Sequence, residues 1–96
     1  MIYTVRAVKV NMVTLKKYYG KTCAPCLSLG RILGKVQKTR EFEIESIEIE
    51  DKPMLADYAN IKKIPTIIVE KNEVEVFRFS GVKSSKEIEK IIDTYS

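Results

Sequence analysis

The sequence YYGKTCAPCLSL, residues 18–29, contains both cysteines of the chain, Cys23 and Cys26. Residues 12–19 are rich in β-branched and aromatic side chains, which favour a β-strand. After the cysteines, apolar side chains recur along one helix face at Cys26, Leu29, Leu33 and Val36, with Leu27 and Ile32 in support. The pattern therefore predicts that the cysteines lie where a strand turns, at Gly20-Lys21-Thr22, into a helix. Gly30 and Gly34 inside this helix predict close packing against a neighbouring element.

This position predicts thiol–disulfide chemistry. One helical turn brings residues three apart within the Cα separation of about 4.4–6.8 Å that a disulfide requires. The partial positive charge of a helix N-terminus stabilises a thiolate, so Cys23 at the cap is the expected nucleophile. Cys26, one turn further in, is expected to be more shielded and to act as the resolving thiol.

Such an exchange consumes neither a metal nor an organic cofactor, and none is predicted. A closed zinc site needs about four Cys, His or acidic ligands. Two cysteines and no histidine make such a site within this chain a poor interpretation. The remaining alternative from the residues alone is an inert pair of buried cysteines.

Two further strands and a short helix are predicted before residue 60. Residues 2–10 alternate loosely and predict a strand. Between 42 and 50 the apolar parity slips from Ile44 to Ile47, which favours a paired strand only around 46–50. Asp51 is the expected cap of a short helix with Pro53 in its first turn. The predicted apolar side of that helix consists of Met54, Leu55, Tyr58 and Ala59.

The rest of the chain predicts a β-hairpin and a helix. Residues 66–70 and 74–79 are the expected strands, joined by a turn at 71–73, and Gly81 ends the second. Ser84 or Ser85 caps a last helix with Ile88, Ile91, Ile92 and Tyr95 directed inward. This order predicts one α/β domain over residues 1–96, with a central mixed sheet of about four strands and helices on both faces.

Composition limits the function classes. Hydrophobic residues make up 45% and charged residues 31% of the chain, as in soluble globular proteins. No apolar stretch approaches the roughly 20 residues that span a bilayer, and charges interrupt the N-terminal residues where a signal peptide would be apolar. We therefore expect no membrane association and a reducing, cytoplasmic location, where two cysteines favour catalysis over a structural disulfide.

The charges are unevenly distributed along the sequence. Residues 1–40 contain nine basic and no acidic residues, whereas residues 41–96 contain eight basic and thirteen acidic residues. Such a split is compatible with binding to an acidic partner or nucleic acid. Without an aromatic or Gly-rich RNA-binding signature, a solvated helix face is the preferred interpretation and nucleic-acid binding is not expected.

Several motifs beyond the cysteines resemble the thioredoxin family over residues 12–95. These are Asp51-Lys52-Pro53, the segment 55–61, Ile64-Pro65-Thr66, the turn 71–73, Phe77-Arg78-Phe79 and Ser80-Gly81-Val82, in the family's order. The resemblance implies a thioredoxin-like fold, a cis bond between Ile64 and Pro65 that faces the disulfide, and a substrate groove formed by Ala24, Pro25, Ile64, Pro65 and Thr66. It also implies protein-disulfide substrates, an upstream donor like thioredoxin reductase, and a monomer. Ala24-Pro25 is similar to the Gly-Pro spacer of the family's reducing members, which favours a protein-disulfide reductase.

The chain departs from the family pattern at four places. Thr22 stands where the family has a tryptophan, Lys17 where it has a buried acid, and Ser46 where that acid has a lysine partner. The family's first crossover helix has no room between residues 10 and 12. The resulting compact form is closer in size to glutaredoxins, but a Cys-Pro-Tyr-Cys site and a double glycine, expected for glutathione binding, are absent from the sequence.

Other functions remain open at this point. A disulfide oxidase or isomerase of the same fold would share the motif. A non-catalytic thioredoxin-fold binding module could use the basic N-terminal half as its interaction face, and a specialised peroxide or arsenate reductase would use the same exchange chemistry.

Overall fold

The computed structural model of the chain describes residues 12–96, which form four strands and three helices in the order βαβαββα. The elements are β1 (Val13–Tyr19), α1 (Ala24–Val36), β2 (Glu43–Glu48), α2 (Pro53–Tyr58), β3 (Thr66–Lys71), β4 (Val74–Ser80) and α3 (Ser85–Tyr95). The strand predicted at 2–10 lies outside the described residues.

The four strands form one mixed sheet in the order β2-β1-β3-β4. β1 is central in this order, and it pairs parallel with β2 and antiparallel with β3. β3 and β4 form the predicted hairpin, whose two-residue turn consists of Asn72 and Glu73, both with positive φ. Positive φ at both positions is typical of the type I′ turn, which matches the twist of paired strands. The predicted mixed sheet is confirmed.

Apolar side chains lie on both faces of the sheet. The larger core joins β1, β3 and β4 to α1 and α3 through eleven buried residues: Val13, Leu15, Leu29, Leu33, Val36, Phe42, Ile67, Val69, Phe79, Ile88 and Ile92. On the opposite face, Tyr18, Ile47 and Ile68 pack together, with Ala59 and Ile61 from the end of α2 against them. The predicted arrangement of helical segments on both sides of the sheet is confirmed.

The prediction that only residues 46–50 form the second strand is wrong. β2 runs from Glu43 to Glu48, and its six residues pair with β1 from Thr14 to Tyr19. Ile44 packs against the larger core, whereas Ile47 packs on the opposite face. Residues three apart in a strand point to opposite faces, so a strand with apolar layers on both sides shows the parity slip without any break.

Two predictions for α2 are also wrong. Its N-cap is Lys52 rather than Asp51, and the cap makes no side-chain hydrogen bond. Of the expected apolar side only Ala59, the C-cap residue, packs against a core, whereas Met54 is 82% and Tyr58 is 92% exposed, and Leu55 is exposed as well. Only six residues long, α2 contains no buried side chain.

The two longer helices, α1 and α3, agree with their predictions more closely than α2 does. In α1 the four predicted face residues are the buried ones, but Leu27 is 66% exposed, so its supporting role was predicted wrongly. In α3 the cap is Ser84, whose hydroxyl accepts from the Glu87 N–H while the Glu87 carboxylate accepts from the Ser84 N–H. This reciprocal capping box fixes where α3 begins, directly after the loop that follows β4.

Candidate active site

Cys23 and Cys26 form a disulfide at the N-terminus of α1, with their Cα atoms 5.2 Å apart. Cys23 is the N-cap residue, in extended conformation, and Pro25 lies in the first turn, where the missing N–H costs no intrahelical hydrogen bond. β1 leads to this point from the centre of the sheet through Gly20-Lys21-Thr22. The predicted strand-to-helix position of the pair is therefore confirmed.

The two sulfurs differ in their surroundings. Cys23 is 9% exposed and Cys26 is 3% exposed. The backbone N–H of Cys26 donates to Sγ of Cys23 at 3.2 Å, and the N–H groups of Cys26 and Leu27 donate to the Cys23 carbonyl. A sulfur that accepts a hydrogen bond from the first helical turn would be stabilised as an anion once the disulfide is reduced.

The segment around Pro65 lies beside the cysteines. The Ile64–Pro65 peptide bond is cis, as the resemblance implied. A Cβ built at Gly20 would lie 2.7 Å from Cδ1 of Ile64 and 4.0 Å from Cβ of Cys23. Gly20 therefore lets Ile64 approach the turn that precedes Cys23, a close contact that the sequence did not reveal.

The loop that follows β4 also contacts Pro65. The N–H of Gly81 donates to the Pro65 carbonyl at 2.9 Å, and Gly81 adopts a φ of 88°. Glycine is suited to this position because side-chain-bearing residues rarely adopt positive φ. The three loops before Cys23, before Thr66 and after Ser80 thus meet at one end of the sheet.

The other predicted groove residues fall into two groups. Ala24 and Pro25 are exposed next to the disulfide, and Pro65 is buried. Thr66 is also buried, and its hydroxyl donates to the Lys63 carbonyl at 2.6 Å and lies 2.8 Å from the Ser80 hydroxyl. The Thr66 side chain therefore holds the Pro65 loop in position from within, and its hydroxyl is already engaged there.

Lys17 lies behind the site on the strand that leads to it. A Cβ built at Gly30, one turn beyond Cys26 in α1, would lie 3.2 Å from the Lys17 Nζ atom. The same Nζ lies 5.2 Å from the centre of the Tyr19 ring. Burial lowers the pKa of Lys17 below its usual value. Its strand neighbour on β2 is Ser46, as the departures from the family pattern indicated.

One buried carboxylate was missed in the sequence. Glu48, at the end of β2, is buried, and its two carboxylate oxygens accept from the N–H groups of Glu50 and Asp51. These bonds shape the turn that leads into α2, so Glu48 is occupied structurally. A glutamate at the end of a strand gives little sequence signal for this role.

Neither a metal-binding cluster nor a membrane-spanning helix is found among the described residues. Within residues 12–96, no group of three or more His, Cys, Asp or Glu side chains is arranged to hold a metal ion. None of the helices in that part has the length and apolar character needed to cross a membrane.

The known proteins that this chain resembles are thioredoxins and a thioredoxin reductase. The model of the family described as Thioredoxin matches residues 4–94. The chain is 34% identical over 83 residues to NADPH-dependent thioredoxin reductase 3 of Arabidopsis thaliana, a match to 84% of this chain and 16% of that protein. It is 31% identical over 76 residues to the chloroplastic Thioredoxin Y1 of the same plant, covering 77% and 44% of the two chains. The chain therefore spans less than half the length of these two relatives.

The similarity extends to a shorter relative and to solved structures. The thioredoxin of Chlamydia caviae is 28% identical over 80 residues, which cover 82% of this chain and 78% of that protein. The structure of the reduced thioredoxin of Schistosoma mansoni superimposes with a TM-score of 0.81 at 19% identity, covering 92% and 83% of the chains. A mutant thioredoxin of Halobacterium salinarum gives the same TM-score. These structures establish the fold, and because the family model matches nearly all of the sequence, the chain belongs to the thioredoxin family.

Proposed function

We propose that this chain is a thiol–disulfide oxidoreductase that reduces disulfides in other proteins through the Cys23-Ala24-Pro25-Cys26 site, acting as a single domain over residues 1–96. The observation that carries the proposal is the disulfide at the start of α1, with Cys23 as the N-cap residue. A bond between two side chains one helical turn apart can open and close with little movement of the backbone.

In the reduced protein, Cys23 is the nucleophile. Its thiolate attacks one sulfur of a substrate disulfide, a mixed disulfide forms, and the other substrate sulfur leaves as a thiolate. Cys26 then loses its proton and attacks Sγ of Cys23, which releases the second substrate sulfur and forms the Cys23–Cys26 disulfide. Two electrons pass from the chain to the substrate. The greater exposure of Cys23 and its hydrogen bond from the Cys26 N–H support this assignment of roles.

The substrate groove consists of Ala24, Pro25, Ile64, Pro65 and Thr66. The exposure of Ala24 and Pro25 and the contact of Ile64 with the Gly20 turn support this set. Pro65 has no N–H, and the backbone groups beside it are suited to pair with an extended substrate segment as an added strand. Thr66 acts indirectly, since its hydroxyl holds the Lys63 carbonyl.

The reducing direction is supported by the Ala24-Pro25 spacer, which lacks the histidine found in oxidising members of the family. The oxidised chain is then reduced by an upstream donor of the thioredoxin-reductase type. The chain is similar to a segment of a protein named NADPH-dependent thioredoxin reductase 3, and this similarity supports a donor of that type. The chain itself holds no resident cofactor in this scheme, acts as a monomer, and works in the cytoplasm.

The test of the proposed roles is reduction of a model protein disulfide by the wild-type chain, Cys23→Ser and Cys26→Ser. We expect Cys23→Ser to lose all activity, because the attacking sulfur is gone. Cys26→Ser should accumulate a mixed disulfide with the substrate, visible by mass spectrometry, because no second thiol resolves it. Full activity in both variants would refute the proposed function.

The direction of transfer has its own test. Equilibration with dithiothreitol or glutathione mixtures measures the reduction potential of the Cys23–Cys26 couple. A reductase should lie near the thioredoxin value of about −270 mV, whereas an oxidase would approach about −120 mV. A value at the oxidising end would replace the reductase by the oxidase alternative while leaving the catalytic pair unchanged.

A further inference from the structure

The three loops that meet at the disulfide carry four lysines and no carboxylate. The loops are residues 20–23, 61–65 and 81–84. We call their lysines the basic rim: Lys21, Lys62, Lys63 and Lys83. Lys21, Lys62 and Lys63 are exposed, and Lys83 is half-buried, with its Nζ 5.3 Å from the centre of the Phe79 ring.

Contacts between the loops keep this rim around one site. Ile64 approaches the Gly20 turn, and the Gly81 N–H donates to the Pro65 carbonyl at 2.9 Å. Lys62 and Lys63 directly precede this contact, Lys21 lies two residues before Cys23, and Lys83 lies two residues after Gly81. The rim therefore follows from the same packing that brings Pro65 to the cysteines.

Little negative charge offsets the rim. Asp51 lies 3.9 Å from Lys21, but both side chains are exposed, and such solvent-screened pairs are weak. Glu87 lies near Lys83, yet its carboxylate already accepts from the Ser84 N–H. Within residues 12–96, no carboxylate lies at ion-pair distance from Lys62, Lys63 or Lys83.

Exposed apolar side chains lie next to the cysteines and to one rim lysine in the sequence. Leu27, next to Cys26, is 66% exposed, and Val82, between Gly81 and Lys83, is also exposed. Ala24 and Pro25 are exposed between the cysteines. Exposed apolar residues at the disulfide, with lysines on all three loops that meet there, fit a peptide segment with small or apolar side chains at its disulfide and negative charges on either side.

We propose that the basic rim selects disulfides that are flanked by aspartate and glutamate in the substrate. This substrate preference rests on the proposed function, because the acidic segment must be reduced at Cys23. The rim acts by raising the rate of productive encounter, since charge complementarity acts mainly on association rates and depends on ionic strength. The reaction remains a balanced exchange, in which the dithiol of the chain becomes a disulfide and the substrate disulfide becomes a dithiol.

The experiment compares two synthetic peptides with the same intramolecular disulfide, one flanked by two glutamates on each side and the other by two glutamines. Pre-reduced full-length chain is mixed with each oxidised peptide, and the second-order rate constant is measured by quenching and chromatography. Rates of the same peptides with dithiothreitol, which like Cys23 attacks as a thiolate anion but has no basic rim, correct for their intrinsic reactivity. We expect a corrected rate ratio of about 3–10 in favour of the acidic peptide at low ionic strength, falling toward 1 near 0.5 M salt.

Charge-reversal variants locate the effect. The double variant Lys62→Glu, Lys63→Glu should lower the corrected ratio below 1. Wild type and both double variants are compared at 0.1 M salt, where the Debye length is about 10 Å. The control double variant Lys35→Glu, Lys38→Glu changes the net charge equally, but Lys35 lies about 18 Å along α1 from Cys23 and is screened from the site at this salt concentration. The control should keep the wild-type ratio.

The outcomes separate this inference from the proposed function. If the wild-type chain reduces both peptides at the same corrected rate, or if the control double variant loses the preference as fully as the rim variant, the rim has no selective role. If the reduced chain reacts with neither peptide, the proposed function itself fails, and the rim preference fails with it.

Discussion

Lys17 is a charged residue on the face of β1 that packs against the larger core. Side chains alternate along a strand, so Lys17 shares a face with Val13 and Leu15, which are buried. Gly30 on α1 leaves the space that the Lys17 ammonium occupies. Within residues 12–96, no carboxylate pairs with it, and burial lowers the pKa of Lys17. The folded state therefore disfavours its charged form.

Replacing Lys17 by methionine should stabilise the protein at pH 7. The substitution removes the desolvated charge and keeps an unbranched chain of similar length; the gain should stay below about 1 kcal/mol, because half-buried charges remain partly screened by water. Since the folded pKa lies below the usual 10.5, the wild type regains stability as pH rises through the folded pKa toward 10.5. The difference between variant and wild type, measured by urea unfolding, should therefore shrink at alkaline pH.

Lys16 provides the matched control for this prediction. It lies on the opposite face of β1 and pairs with Glu70 at 3.3 Å. Lys16→Met removes one partner of an existing ion pair, so it should not stabilise the protein. A Lys17→Met variant that is less stable than the wild type at pH 7 would show that the Lys17 charge is favourable where it lies.

The helix α1 contains two glycines with different surroundings. Both were expected to pack closely against a neighbour, and this is confirmed for Gly30, where an added Cβ would lie 3.2 Å from the Lys17 Nζ. It is wrong for Gly34, where nothing lies within 4 Å of the position of an added Cβ. Only one of the two glycines therefore has a packing reason to lack a side chain.

Gly34→Ala should raise the free energy of unfolding by about 0.5–1 kcal/mol, because alanine loses less backbone freedom than glycine when a helix forms. Gly30→Ala is the matched comparison at the same helix. It should gain less, because the Lys17 ammonium must move by a few tenths of an ångström. Urea unfolding of both variants measures the difference, and equal gains would mean that Lys17 makes room for a methyl group at no cost.

Sequence patterns predict the packing of α1 but not that of α2. α1 could be predicted because its thirteen residues repeat an apolar face that has a sheet to pack against. α2 could not, because apolar side chains on a six-residue helix are buried only if another layer covers them, and periodicity carries no information about that layer. The active site likewise has one part that could be predicted from the sequence and one that could not. Cys23, Cys26 and the Pro65 motif are visible in the sequence, whereas the Gly20–Ile64 contact and the Gly81–Pro65 hydrogen bond depend on loops that meet only in the folded chain.

Ion pairs and hydrogen bonds of charged side chains connect elements that are distant in sequence. Arg40, after α1, donates two hydrogen bonds to the Asp93 carboxylate on α3, at 2.7 and 3.0 Å. Thr39 beside it donates to Glu89 at 2.8 Å. On β4, Arg78 donates to Glu75 and also to the carbonyl of Ala59 at the end of α2. These bonds join the helices to each other on one face and the sheet to α2 on the other.

The Arg40–Asp93 pair predicts part of the acid sensitivity of the fold. The hydrogen bonds from Arg40 hold the pKa of Asp93 below its usual value of 3.8. A depressed carboxylate contributes stability that is fully present above 3.8 and is lost as pH falls through the folded pKa. Asp93→Asn should therefore lower the melting temperature at pH 7, the effect should become smaller as pH falls below 3.8, and added salt should weaken the effect at pH 7. Asp57→Asn, at an exposed aspartate without an ion pair in the described part of the chain, should have no comparable effect at pH 7 or at pH 2.5. A difference for Asp93→Asn that is as large at pH 2.5 as at pH 7 would contradict the pairing.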